Sequence, residues 1–219
     1  MKLFRCSSLS NLIGTPKLKG EVLTNDAKSA VRKAVKEDLT NTRKFKGNIA
    51  TEKGCLLEDL AIEMSGKMRF RKLTKHVGRV SNDLITGECD VLDKKNRLIL
   101  DTKCSQDIDT HPWFADEAQE KVKKAGYDWQ MQGYMWLYEC EVAHVDFWLL
   151  PTPPELLNSW DDIDYLVHAV NAIDIRDRLT TVVVHRDEEM IRKIQERIPH
   201  CQNYYKALLD ERKTYRGAA

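Results

Sequence analysis

The sequence has 219 residues, 42% of them hydrophobic and 32% charged, with a formal net charge of +1 at pH 7. That length suits one sizeable core, and no apolar run approaches the roughly 20 residues that a membrane-crossing helix needs. The start, "MKLFRCSSLSNLIG", lacks the apolar stretch of a secretory signal, and six cysteines without a CxxC pair argue against a zinc ribbon or an iron–sulfur cluster. The expectation is a soluble cytoplasmic protein with reduced thiols and no membrane association.

In chain order, "LTNDAKSAVRKAVKEDL" predicts a helix over 26–39, capped by Asn25 or Asp26, with Ala30, Val31, Ala34 and Val35 as its apolar stripe. "TEKGCLLEDLAIEMSG" predicts a second helix that stops at Gly66. Strands are expected near 68–76, 84–92 and 97–104, then one helix over 115–140 and a strand in "AHVDFWLLP". "PTPPELLNSWDD" is a loop, "TTVVVHR" a short strand, and 187–212 a long C-terminal helix. This order gives an α/β (α+β) fold, a sheet with helices packed on it. We read it as a single domain, 1–219: N-terminal helices in 1–67, a central sheet and helix in 68–150, and a C-terminal loop, strand and helix in 151–219.

Charge is unevenly spread. Residues 1–79 hold 18 Lys/Arg against 8 Asp/Glu, a balance of +10, and the remainder holds 17 against 26, a balance of −9. The run "KMRFRKLTKHVGR" (67–79) has no acid, so Arg69, Arg71 and Lys72 are candidates for contact with a polyanion, the alternative being a solvated strand face.

The most informative stretch is "GECDVLDKKNRLILDTKCS" (87–105). Strand alternation places Ile99, Asp101 and Lys103 on one face. With 93–96 as the turn, Leu92 pairs with Arg97. Asp90 then falls diagonal to Asp101 on the same face and Glu88 directly opposite it. Acids brought together this way repel unless a cation lies between them. One lysine supplies a single charge, whereas a hard divalent ion, Mg²⁺ or Mn²⁺, takes oxygen ligands and stays open to a phosphate. The Thr102 carbonyl is a further candidate ligand. An exposed hairpin with solvated ion pairs is the alternative for so short a motif.

Asp90 followed by Asp101-Thr102-Lys103 resembles the D…(D/E)xK signature of the PD-(D/E)xK, or restriction-endonuclease-like, nuclease superfamily. Glu58, on a helix before the hairpin, and Gln130 with Tyr134 in "YDWQMQGYMW" resemble the upstream acid and the Gln-x-x-x-Tyr motif of its RecB-type and lambda-exonuclease-type branches. Tyr127, Gln130 and Tyr134 share one helix face by spacing alone. "CSSLSNLIGTPK" (6–17) resembles the opening of phage lambda-type exonucleases, with Ser8 on the helix and Lys17 in place of the usual arginine of a DNA-contacting Pro-basic pair. The resemblance covers about residues 5–150; nothing after 151 matches a motif.

The resemblance implies a restriction-endonuclease-like core and a Mg²⁺- or Mn²⁺-dependent exonuclease acting on linear duplex DNA ends, from the 5′ end, in phage-type recombination within a host cell's cytoplasm. Asp90, Asp101, the Thr102 carbonyl and Glu58 would hold the metal. Lys103 would orient water or stabilise transition-state charge, a base role requiring a depressed pKa. Gln130, supported by Tyr134 or Tyr127, would position nucleophile or backbone. Glu88 competes with Asp90 for the ligand role. A ring-shaped homo-oligomer and a single-strand annealing partner are implied by similarity alone. The alternatives are a structure- or site-specific endonuclease of the same superfamily, a non-catalytic DNA-binding module, and a hydrolase of small phosphoesters.

Overall fold

The computed structural model describes residues 1–42 and 49–217. The chain opens with a two-residue strand, β1 (Phe4–Arg5), a 3-10 turn at Cys6–Ser8 and the one-turn helix α1 (Leu9–Leu12). α2 (Asn25–Thr40) follows, but its cap is Thr24 rather than Asn25 or Asp26: the Thr24 hydroxyl accepts the Ala27 N–H at 3.1 Å. α3 (Ile49–Met68) outlasts its expected stop.

The strand expected over 68–76 does not form. The Gly66 carbonyl accepts the N–H groups of both Arg69 and Arg71, and Phe70 between them sits at φ 53°. The chain leaves this turn extended and joins a sheet ladder at β2 (Val80–Ser81). The expected strand over 84–92 is two short ones, β3 (Ile85–Gly87) and β4 (Val91–Asp93). β1, β3 and β2 make a small three-stranded sheet in that order.

β5 (Leu98–Cys104) pairs antiparallel with β4, Val91 with Leu100, Leu92 with Ile99 and Asp93 with Leu98. This register differs by two residues from the expected one, because Asp93 closes the turn. Its Oδ1 accepts the Asn96 N–H at 3.1 Å and its Oδ2 the Asn96 amide at 2.8 Å, while Arg97 takes a left-handed φ of 51°. A shift of two keeps every side chain on its expected face.

The helix expected over 115–140 is α4 (Ala115–Ala125) and α5 (Tyr127–Tyr138), broken at Gly126. Gly126 has φ 72°, and a Cβ there would lie 2.2 Å from the Ser10 Cβ, so N-terminal packing as well as backbone sign requires glycine. β6 (Val142–Trp148) returns parallel to β5, as a helical crossover demands. A 3-10 turn at Pro154–Leu156, a π-helical turn at Asp164–Ala169 running into α6 (Val170–Ala172), and a further 3-10 turn at Ile175–Arg178 lead to β7 (Leu179–His185), antiparallel to β6. α7 (Glu188–Gly217) ends the chain and contains Pro199.

The main sheet thus has the order β4-β5-β6-β7 and is mixed, with helices on both sides, the α/β class expected. On one face Ile99, Ala143, Val145 and Phe147 join Met131 and Met135 of α5; on the other Leu100 packs on Ile62 of α3, and Trp148 on Ala61. β5 and β6 are covered on both sides, which explains why their apolar residues fall on both faces instead of alternating strictly with polar ones. All six cysteines are free, and no described helix is long and apolar enough to cross a membrane.

Candidate active site

Asp101 and Lys103 leave the α5 face near the C-terminal end of β5, and strand parity puts both beside the Tyr127–Gln130–Tyr134 face of α5. Asp101 is 1% exposed. Its Oδ2 is buried and ion-paired with the Lys103 ammonium. Burial, reinforced by Asp90 and only partly offset by Lys103, raises the Asp101 pKa well above the carboxylate range. For Lys103, burial alone would lower the pKa, but Asp101 and Asp90 outweigh it and hold the ammonium protonated. That direction is opposite to what a base role requires, so in this arrangement Lys103 is a cation and proton donor. Its Nζ also lies 4.9 Å from the centre of the Tyr127 ring, a cation–π contact.

Continuing the β4–β5 register sets Asp90 directly across from Asp101, closer than the diagonal placement expected, and removes Glu88 from that position. Asp90 Oδ2 accepts the Thr102 N–H at 2.7 Å and the Thr102 hydroxyl at 2.9 Å, leaving Oδ1 without a hydrogen bond among the described residues. In an extended strand a residue's C=O points to the same side as its N–H. The Thr102 carbonyl therefore faces the Asp90 side, beyond the last β4 residue that could pair with it. Glu88 is used elsewhere: its Oε1 accepts the Gly78 N–H at 2.9 Å, and Oε2 is 3.6 Å from Arg79.

Glu58 projects from α3 and is close enough to add to the raising of Asp101, but its Oε1 is 2.9 Å from the Lys75 ammonium. Among the described residues no three His, Cys, Asp or Glu side chains come together as a ready metal cage. Two carboxylates and a carbonyl remain, one of the carboxylates buried and ion-paired with Lys103. That donor set suits Mg²⁺ or Mn²⁺, which keeps several waters, better than an ion needing a full protein cage.

On α5, Gln130 is buried and donates its amide N–H to the Tyr134 hydroxyl at 2.9 Å. Burial, then Asp101, raises the Tyr134 pKa, so the phenol stays protonated. Tyr134 fits because Gly87 faces it: a Cβ there would lie 2.7 Å from the ring. Two turns of sequence thus share one face, as the spacing predicted. Gln132, by contrast, is consumed by structure, donating to the His185 carbonyl and accepting the Asp187 N–H.

Five other candidates lie apart from the acidic pair. Arg69 is not a free DNA contact: it grips the fully buried Asp146 through both guanidinium nitrogens at 2.8 Å. Arg71 is paired with Asp93 at 2.9 Å. Both arginines are thus engaged by carboxylates the basic run did not reveal; of the three, Lys72 is exposed and has no ion-pair partner among the described residues. Lys17 is exposed, and Ser8 donates to the Arg5 carbonyl and lines a 660 Å³ groove between the N-terminal segment and α2. Neither forms a hydrogen bond or ion pair with the acidic residues.

The sequence reading overlooked the braces of this site. Lys53, 1% exposed on α3, donates to the Gln106 carbonyl at 2.8 Å, and burial lowers its pKa to about 8. His111 is buried against Ser105 Oγ at 3.1 Å, and burial followed by nearby Lys121 lowers it to about 4. Together they fix the loop leaving β5. A lysine amid small and apolar residues of a helix was the available signal.

No protein-family model and no curated protein matches the sequence. Among solved structures, a phage-related exonuclease from Haemophilus somnus 129PT has 50% sequence identity, a TM-score of 0.92 and 96% of each chain covered. An alkaline exonuclease, LHK-Exo from Laribacter hongkongensis, has 14% identity and a TM-score of 0.68 over 99% of this chain and 94% of that one. LHK-Exo in complex with dAMP gives 15% and 0.66 over the same shares. The latter two speak for the fold and the first for kinship: the chain belongs to the phage-related exonucleases of the PD-(D/E)xK nuclease superfamily.

Proposed function

We propose that the protein is a Mg²⁺- or Mn²⁺-dependent DNA exonuclease that hydrolyses linear duplex DNA from its 5′ end, in phage-type recombination. The observation that carries this reading is Asp101, a buried carboxylate that meets the Lys103 ammonium and has Asp90 across from it. A divalent ion bound by Asp90, Asp101 and the Thr102 carbonyl would supply Lewis-acid activation of water and of the phosphoryl oxygen. The other roles belong to the chain itself. Lys103, held charged by Asp101, presents a fixed ammonium to the phosphate as negative charge builds there. Tyr127 limits where that ammonium can swing. Gln130 has its amide N–H tied to Tyr134, which holds the side chain in place to orient a water or a sugar–phosphate group.

The likeness to solved exonucleases supports attack from an end, and the dAMP bound by LHK-Exo supports release of single nucleotides. A ring-shaped homo-oligomer and a single-strand annealing partner go with this reading as expectations, as does a single-domain chain. The test is digestion in Mg²⁺ of 5′-phosphorylated linear, 5′-hydroxyl linear and closed circular duplex. Linear DNA is expected to be degraded, the 5′-phosphorylated form fastest, and circular DNA to survive. Cleavage of the circle would replace the exonuclease with an endonuclease, and no cleavage of any substrate would leave a DNA-binding module.

A further inference from the structure

Lys75 lies in the extended segment between α3 and β2, within the basic run, but it is not a loose surface charge. Its ammonium is 2.9 Å from Glu58 Oε1 and 2.7 Å from Asp59 Oδ1. The segment that carries it is tied down on the far side. The His76 N–H donates to the Asp90 carbonyl at 2.7 Å, the Gly78 N–H donates to Glu88 at 2.9 Å, and the His76 ring packs edge-on against Tyr138 at 5.2 Å. One short strap therefore joins the helix bearing Glu58 to the residue bearing Asp90, with a cation between them.

That cation sits on the one candidate ligand that the acidic pair does not share. Glu58 is the more sheltered of the two acids it holds, at 32% side-chain exposure against 80% for Asp59. Asp59 alone would suffice to anchor an exposed lysine, so contact with Glu58 is not needed to hold the strap. We infer that Lys75 is a positioning residue, a built-in counter-cation that competes with a divalent ion for Glu58 and so sets how tightly the site holds its metal. The inference rests on the metal reading given under Proposed function. Without the lysine, Glu58 is released to turn toward Asp90 and Asp101; with it, the site offers two carboxylates and a carbonyl.

The test is calorimetric titration of MnCl₂ into the full-length chain, without DNA, for wild type, Lys75→Met, Lys75→Gln, Lys75→Arg, Glu58→Gln, the Lys75→Met/Glu58→Gln pair and Asp101→Asn. Both neutral variants are expected to bind Mn²⁺ roughly two- to fivefold more tightly, the range set by an exposed ion pair. Lys75→Arg is expected to match wild type, and the gain is expected to vanish when Glu58 is also changed. Unchanged or weaker binding in both neutral variants overturns the inference, as does a gain that persists in the Glu58→Gln background. The two levels separate: Mn²⁺ binding lost in Asp101→Asn but unmoved by Lys75 changes sinks this inference alone. Binding unmoved in Asp101→Asn sinks the metal reading and this inference with it.

Discussion

Asp101 and Asp146 lie on neighbouring strands of one sheet, one register step apart, at 1% and 0% exposure, yet they are opposites. Asp146 faces α3 and accepts four hydrogen bonds: two from Arg69 at 2.8 Å, one from Ser65 at 2.6 Å and one from Thr181 at 2.7 Å. Ser65 in turn accepts the Trp148 indole N–H at 2.8 Å, so the network is closed. Asp101 faces α5 with only the Lys103 charge for company. A buried carboxylate costs several kcal/mol to desolvate unless its oxygens are satisfied. The first residue is satisfied by a closed network within the fold, and the second by a single ion pair.

The contrast breaks most sharply at Asp101. Asp101→Asn or Lys103→Ala should lower Mg²⁺-dependent digestion of linear duplex by roughly 10³-fold or more, as loss of one member of a catalytic unit does. Asp101→Asn takes the ion-pair partner from Lys103 but also ends the repulsion between Asp101 and Asp90, which still faces the lysine, so thermal unfolding of the metal-free variant should stay within about 1 kcal/mol of wild type. Asp146→Ala should do the reverse. It strands Arg69 and should cost about 3–5 kcal/mol in denaturant unfolding, while activity per folded molecule survives.

Gln130→Ala, a smaller perturbation, should reduce turnover by roughly 10²-fold through misplacement of the reacting groups, with DNA binding retained; Gln132→Ala should instead register in stability. A milder effect concerns pH. His111 is depressed from 6.5 to about 4 by burial and by Lys121, so the unfolded chain binds the proton first. Stability is therefore present above pH 6.5 and is lost as pH falls toward 4. Unfolding curves across that window should show the slope, and His111→Asn should flatten it. The smallest change is expected at Lys72, where Lys72→Ala should reduce the salt slope of DNA binding by about one if it meets a phosphate, whereas a slope that stays put would make it a solvated charge.

How much of this was legible in the sequence follows the range of the forces involved. Strand parity alone put Asp90, Asp101 and Lys103 on one face, and helical spacing put Tyr127, Gln130 and Tyr134 on another, because both are properties of a few consecutive residues. The hairpin register was misjudged because the Asp93 side chain, not the hydrophobic pattern, decides where the turn closes. Arg69 was misplaced because its partner is 77 residues away. The break at Gly126 is enforced by Ser10 from the opposite end of the chain, and the bond between Lys75 and Glu58 depends on a strap whose path no local pattern encodes.

The most direct measurement is anomalous diffraction from a crystal soaked in MnCl₂. A peak between Asp90 and Asp101, roughly 2.0–2.2 Å from one oxygen of each and from the Thr102 carbonyl, is the predicted result. Both carboxylates well ordered with no peak between them, at a Mn²⁺ concentration that sustains digestion in solution, would contradict the account.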